Sequence, residues 1–99
     1  MMKIEMKKDG NALVVALEGR LDTSTSPQLE DELKPALDGV TELTFDMENL
    51  DYISSAGLRV LLFAQKTMNK QGTMKVIHSN EMIQEIFEVT GFSDILTIE

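Results

Sequence analysis

The sequence predicts an α/β domain in which a mixed, mostly parallel sheet packs against helices. Three observations carry that expectation. Short apolar runs alternate with a two-residue period, longer stretches repeat apolar residues every three or four positions, and the two kinds succeed one another along the chain. At 99 residues, 42% hydrophobic and 26% charged, the chain fits one domain over 1–99 with a single core. No internal repeat, low-complexity tract or linker-like stretch marks a boundary within it.

Residues 3–8 alternate loosely, Asp9-Gly10-Asn11 is a turn signal, and residues 12–17 form a valine-rich apolar run, so the chain should open as a β-hairpin. Gly19-Arg20-Leu21-Asp22 then leads into Thr23-Ser24-Thr25-Ser26-Pro27, a cluster of capping residues with a proline suited to a first helical turn. A helix is expected to start between Ser24 and Pro27. Leu29, Leu33 and Leu37 mark its buried stripe, and Glu30, Asp31 and Glu32 are expected in its first turns, where the helix dipole favours anions. That acidic run reads as a solvated face, because consecutive helical positions splay apart and do not converge on one ion. Pro35 must kink this helix or shorten it.

Gly39 ends the helix, and Leu43, Phe45 and Met47 alternate with Thr44 and Asp46 as a strand should; residues 48–53 are expected as a loop. Residues 56–70 are helical again. Leu58, Leu61, Leu62 and Met68 lie on one side, with Val60, Phe63 and Ala64 widening the stripe, which implies a deeply packed helix. Gly72 is a natural C-cap, residues 74–77 a short strand, and Ser79 or Asn80 the cap of a third helix carrying Met82, Ile83, Ile86 and Phe87. Gly91 stops that helix, and residues 95–98 are expected as a last β segment. The order is therefore ββαβαβαβ, and helical crossovers make the later strands parallel with right-handed connections.

Composition excludes several functions. Seventeen acidic against nine basic residues give a net charge of -8, which repels phosphate backbones and anionic lipid, so direct nucleic-acid binding is not expected. No apolar run approaches the roughly 18 residues that span a bilayer, and the N-terminus lacks the apolar core of a signal peptide, so neither membrane insertion nor export is expected and the cytoplasm is the expected compartment. With no cysteine there is neither a disulfide nor a thiol nucleophile. The single histidine, His78, ends a short strand without an evident catalytic partner and reads as structural or exposed. No Gly-rich nucleotide cradle is present, and the sequence predicts a protein that is not an enzyme, with no cofactor and no metal ligand set. The enzyme-like rival is a Mg²⁺-dependent phosphoryl acceptor at Asp46; it lacks the acidic pair such a site needs at the end of a first strand.

The stretch Tyr52-Ile53-Ser54-Ser55-Ala56-Gly57-Leu58 is where a strand region hands over to the most buried helix, at the sheet edge where α/β proteins place their sites. Ser54 and Ser55 fall at or just before a helix N-terminus, where free N–H groups and the dipole stabilise negative charge. From the residues alone, one of these serines could be simply an N-cap, and Gly57 simply a small residue that lets the helix approach the sheet.

Three segments, LDYISSAGLRVLL, GRLDTSTSPQLEDEL and IFEVTGFSDILTI, resemble the STAS domain of anti-sigma factor antagonists, in the right order and over residues 17–98. The resemblance implies a sheet packed on helices and a partner-switching role in transcription regulation. In that scheme the unphosphorylated antagonist binds an anti-sigma factor that is also an ATP-binding serine kinase of the GHKL type; phosphorylation breaks the complex and a serine phosphatase restores it. The family's acceptor stands two residues before the glycine of its Asp-Ser-Ser-Gly or Asp-Ser-Thr-Gly pattern, which maps onto Ser55, with Ser54 the alternative. The family's acidic residue after the second strand maps onto Asp22. Asp22, Thr23, Tyr52, Ser54, Ala56, Gly57 and Arg59 are the expected partner-contact positions, with a turn-forming role open for Asp22 and a solvated one for Arg59. Ser54 stands where the family has aspartate, and Ala56 where it has a hydroxyl residue. These departures leave room for a second reading, a constitutive STAS subunit of a lipid-transport or stress-signalling complex in which the serines only cap.

Overall fold

The computed structural model of the chain describes residues 2–99. Strands β1 (Met2–Asp9) and β2 (Ala12–Leu21) form the expected antiparallel hairpin, with Asp9 opposite Ala12. Gly10 opens the two-residue turn between them at φ 61, a conformation that glycine adopts without steric cost. Helix α1 (Ser26–Ala36) starts inside the predicted window with Pro27 in its first turn, and it stops one residue after Pro35, so the proline shortens it. No acid lies in its first turn; Glu30, Asp31 and Glu32 sit one turn further along, and Glu30 pairs with Lys34 at 3.9 Å.

Strand β3 (Glu42–Ile53) crosses to β2 in parallel, and after helix α2 (Ser55–Gln71) strand β4 (Thr73–Ile77) joins β3, again in parallel. The strand order is β1-β2-β3-β4, a mixed sheet with one antiparallel pair. The expected loop at residues 48–53 is the second half of β3. Its pairing with β2 shifts between Ala16 and Glu18 and again between Gly19 and Arg20, so two bulges let Leu50 and Ile53 return to the core although Glu48 and Asn49 face solvent together. Helix α3 (Glu81–Val89) is capped by Asn80, whose side chain also donates to the Leu50 carbonyl at 3.1 Å. The last β segment shrinks to one parallel bridge, Val76 to Ile98, preceded by a short 3₁₀ turn at Phe92–Asp94.

The buried residues of the strands all fall on one face. Leu13, Val15 and Leu17 of β2, Leu43, Phe45 and Met47 of β3 and Met74 and Val76 of β4 join Leu29 and Leu33 of α1, Leu58, Leu61 and Met68 of α2 and Ile83 and Phe87 of α3 in one core. The alternate residues are exposed, among them Lys3, Glu5, Val14, Glu18 and Lys75, or half-buried, as are Thr44 and Asp46, so the helices cover one face of the sheet and leave the other bare. Two contacts fix the helices. The Gln71 amide donates to the carbonyls of Leu37 (2.7 Å) and Val40 (2.6 Å), closing the end of α1, and a Cβ on Gly72 would overlap the backbone carbonyl of Thr41. No helix among the described residues is long and apolar enough to cross a membrane.

Candidate functional site

The carboxyl ends of β2 and β3 bring the site together. Leu21 ends β2, Ile53 ends β3, and the N–H of Ser54 donates to the Leu21 carbonyl at 2.9 Å, so the turn after β2 is tied to the start of α2. Ser54 is the N-cap of α2, with extended backbone and a long contact of 3.5 Å from the Gly57 N–H to its Oγ. Ser55 is the first helical residue. It is exposed, and its hydroxyl makes no hydrogen bond among the described residues, whereas Ser54 is half-buried. The two adjacent serines thus differ in what they can offer: one hydroxyl serves the helix, the other faces solvent beside first-turn amides that have no intrahelical partner.

Asp22 organises the facing turn. Its Oδ1 accepts from the Ser24 hydroxyl (2.8 Å), the Ser24 N–H (3.0 Å) and the Thr25 N–H (3.2 Å). Its own N–H donates to Thr25 Oγ1 (2.8 Å), which donates onward to the Arg20 carbonyl (2.8 Å), while the Ser26 hydroxyl donates to the Asp22 carbonyl (2.6 Å). The Ser24 hydroxyl is the main reason the Asp22 carboxyl sits below its ordinary value, against a partial desolvation that pushes the other way; the amides of Ser24 and Thr25 add to the lowering. The turn-forming role of Asp22 is therefore accounted for by contacts within residues 20–26.

Between this turn and α2 lies a shallow groove of about 170 Å³, lined by Thr23, Pro27, Glu30, Ala56, Arg59 and Val60. It brings together three of the positions expected at a contact surface, Thr23, Ala56 and Arg59, of which Ala56 directly follows Ser55. Tyr52 is elsewhere on the edge, its ring stacked under the Arg20 guanidinium at 4.5 Å, where the β2–β3 register sets the two residues opposite each other. Gly57 does not reach the surface. It is buried, and a Cβ there would meet Leu21 Cγ at 2.7 Å and Ile53 Cγ1 at 2.9 Å, so its part is close packing of α2 on the sheet. A larger open depression of about 500 Å³ lies at the β1–β2 edge against Gln28 and shares no residue with this groove.

Sequence reading missed Arg20, Pro27 and Glu30. Arg20 and Tyr52 meet only through strand register, and Glu30 reaches the groove only because α1 runs beside α2; no local motif signals either contact. It also gave His78 no partner. The imidazole Nδ1 lies 3.0 Å from Asp46 Oδ1 and 3.9 Å from Glu48 Oε1, a meeting across β3 and β4 that residues 32 positions apart do not announce.

A parallel-sheet edge that hands directly to a capped helix, with all helices on one face, defines the class of domain, and the chain belongs to the STAS domain family, whose profile matches residues 3–99. Its relatives include BtrV of Bordetella bronchiseptica, 36% identical over 99 residues and covering 98% of this chain and 85% of BtrV. The anti-sigma-B factor antagonist of Bacillus subtilis is 28% identical over 98 residues, covering 98% of this chain and 90% of that protein. The fold matches the phosphorylated form of the Bacillus cell fate determinant SpoIIAA with a TM-score of 0.77 at 17% identity, over 98% of this chain and 91% of that one.

Proposed function

We propose that the protein is an anti-sigma factor antagonist that binds an anti-sigma factor serine kinase while Ser55 is unmodified and leaves it once Ser55 is phosphorylated. The kinase moves the γ-phosphoryl group of ATP to Ser55 Oγ, the hydroxyl proton is lost, and ADP departs. A serine phosphatase returns the hydroxyl by hydrolysis. The observation that carries this reading is the division of labour between the two serines, with Ser54 engaged as cap and Ser55 exposed, its hydroxyl without a hydrogen bond among the described residues, at the first helical position. Relatives named as anti-sigma factor antagonists support it, as does a common fold with a domain known in a phosphorylated form. The partner surface is the groove and its rim: Thr23 and Asp22 on the turn, Ala56 and Arg59 on α2. The whole exchange takes place in the cytoplasm.

A phosphate adds about -1.5 to -2 charges at a surface that must close against a partner, so desolvation and repulsion weaken the complex, while the helix start tolerates the charge. The test is mass spectrometry after incubation with the cognate kinase and ATP, together with Ser55→Asp and Ser55→Ala variants in binding and melting assays. Phosphate on Ser55, loss of binding by at least about tenfold in Ser55→Asp, and melting close to wild type are expected. Phosphate on Ser54, or unchanged binding by Ser55→Asp, would overturn the assignment and favour a constitutive interaction subunit in which the serines only cap.

A further inference from the structure

We propose that Asp46, Glu48 and His78 form a binding site for one divalent transition-metal ion, with Zn²⁺ as its probe, on the bare face of the sheet. Asp46 and Glu48 lie on β3, and His78 is the first residue after the neighbouring parallel strand β4. Asp46 sits opposite Ile77 in the β3–β4 register, and His78 follows Ile77 directly. The His78 backbone is left-handed, φ 61, which a histidine adopts only occasionally. The ring comes to lie over β3, with Nδ1 3.0 Å from Asp46 Oδ1 and 3.9 Å from Glu48 Oε1, and one donor atom from each residue lies within 4.8 Å of the other two.

Those separations suit a metal. Ligands held about 2.0–2.1 Å from a tetrahedral zinc ion stand roughly 3.3 Å from one another, so adjustments of about an ångström in side chains that are exposed or half-buried would bring the three donors onto one ion. The charges suit it as well. Neither carboxylate has a lysine or arginine within ion-pair distance among the described residues, and Lys75 on the same face pairs with Glu99 at 3.8 Å. Two carboxylates and a neutral imidazole balance a dication, in a chain whose net charge is already -8. An imidazole in the set selects for zinc-like ions over Ca²⁺ and Mg²⁺, which prefer all-oxygen shells. Asp46 is partly held in advance, because its Oδ1 also accepts the Glu48 N–H at 3.1 Å, and β3 holds Asp46 and Glu48 more firmly than a loop would. Three protein ligands leave the fourth position to water.

The chain has one histidine and no cysteine, so a histidine signal reports on this site alone. Tag-free protein freed of metal by chelator would be titrated with Zn²⁺ by calorimetry, with the His78 ring followed by NMR. One ion per chain, a shift of the ring resonances and a higher melting temperature with Zn²⁺ are expected. His78→Asn keeps a residue that tolerates the left-handed backbone, and Glu48→Gln changes an exposed side chain. Each should weaken binding by at least the tenfold or so that losing even an outer-shell partner costs, with metal-free melting near wild type. Asp46→Asn should do the same, and if it fails to fold the other two decide. Absence of saturable Zn²⁺ binding, or binding that His78→Asn leaves unchanged, overturns the proposal. Neither result bears on Ser55.

Discussion

Replacing Gly57 by alanine tests how tightly the start of α2 is set against the sheet. A Cβ at this position would stand 2.7 Å from Leu21 Cγ, 2.9 Å from Ile53 Cγ1 and 3.0 Å from Leu21 Cδ2. Both neighbours are core residues, exposed by 0% and 1% respectively, so neither can swing into solvent to make room. Overpacking of this kind costs about 1–3 kcal/mol, and the better helix propensity of alanine returns up to about 1 kcal/mol, less in a first turn than in a helix interior. The net expectation is a loss of about 1–2 kcal/mol. For a domain of this size that lowers the melting temperature by roughly 5–15 °C. Urea unfolding with an unchanged slope would assign the loss to the native state. A Gly57→Ala protein as stable as wild type, or more so, would refute the argument, since helix propensity alone predicts a gain.

Two further predictions follow from the polar contacts. Asn80→Ala removes both the cap on the Ile83 N–H (2.8 Å) and the donor to the Leu50 carbonyl (3.1 Å), and should cost about 1–3 kcal/mol in urea unfolding; Asn80→Asp keeps the acceptor and should fall between Ala and wild type. Asp22 has a carboxyl depressed in the folded state, so its contribution to stability is complete above the ordinary value of 3.8 and is lost as pH falls through the lower folded value. Melting temperatures of wild type and Asp22→Asn measured from neutral pH downward should therefore converge in strong acid, and a gap that stays constant below pH 3.8 would show that the carboxylate charge is not what the turn uses.

Much of the fold was legible because local signals agreed with the tertiary demand. Asp9-Gly10-Asn11 marks the hairpin, Pro27 and Pro35 bracket α1, and Asn80 with Gly91 brackets α3. What escaped was non-local. Glu48, Asn49 and Asp51 make residues 48–53 look like a polar loop, and only the two bulges against β2 explain how Leu50 and Ile53 can remain core residues of a continuing strand. The final β segment was overestimated because residues 95–98 are apolar enough for a strand but meet β4 at a single bridge. At the site, the position of Ser55 follows from sequence spacing, since a helix start announces itself. The groove does not, because Pro27 and Glu30 come from a different helix. The pairing of Asp46 with His78 requires β3–β4 register, which no pattern within either strand specifies.

Under the proposed function, placement at the helix start favours Ser55 over Ser54 as the hydroxyl that accepts a bulky charge. Ser54 is held from both sides, by its N–H on the Leu21 carbonyl and by its Oγ facing the Gly57 amide, where the first turn of α2 packs tightly on Leu21 and Ile53. A phosphate there would compete with the cap and with the contact of Gly57 against Leu21 and Ile53. One residue on, Ser55 points into solvent and contributes no hydrogen bond among the described residues that a modification would break. The dipole of α2 favours a negative charge at that position by about 0.3–1 kcal/mol. On the proposed reading, the fold would therefore lose little when Ser55 is charged, and nearly all of the energetic consequence would fall on the complex with the partner.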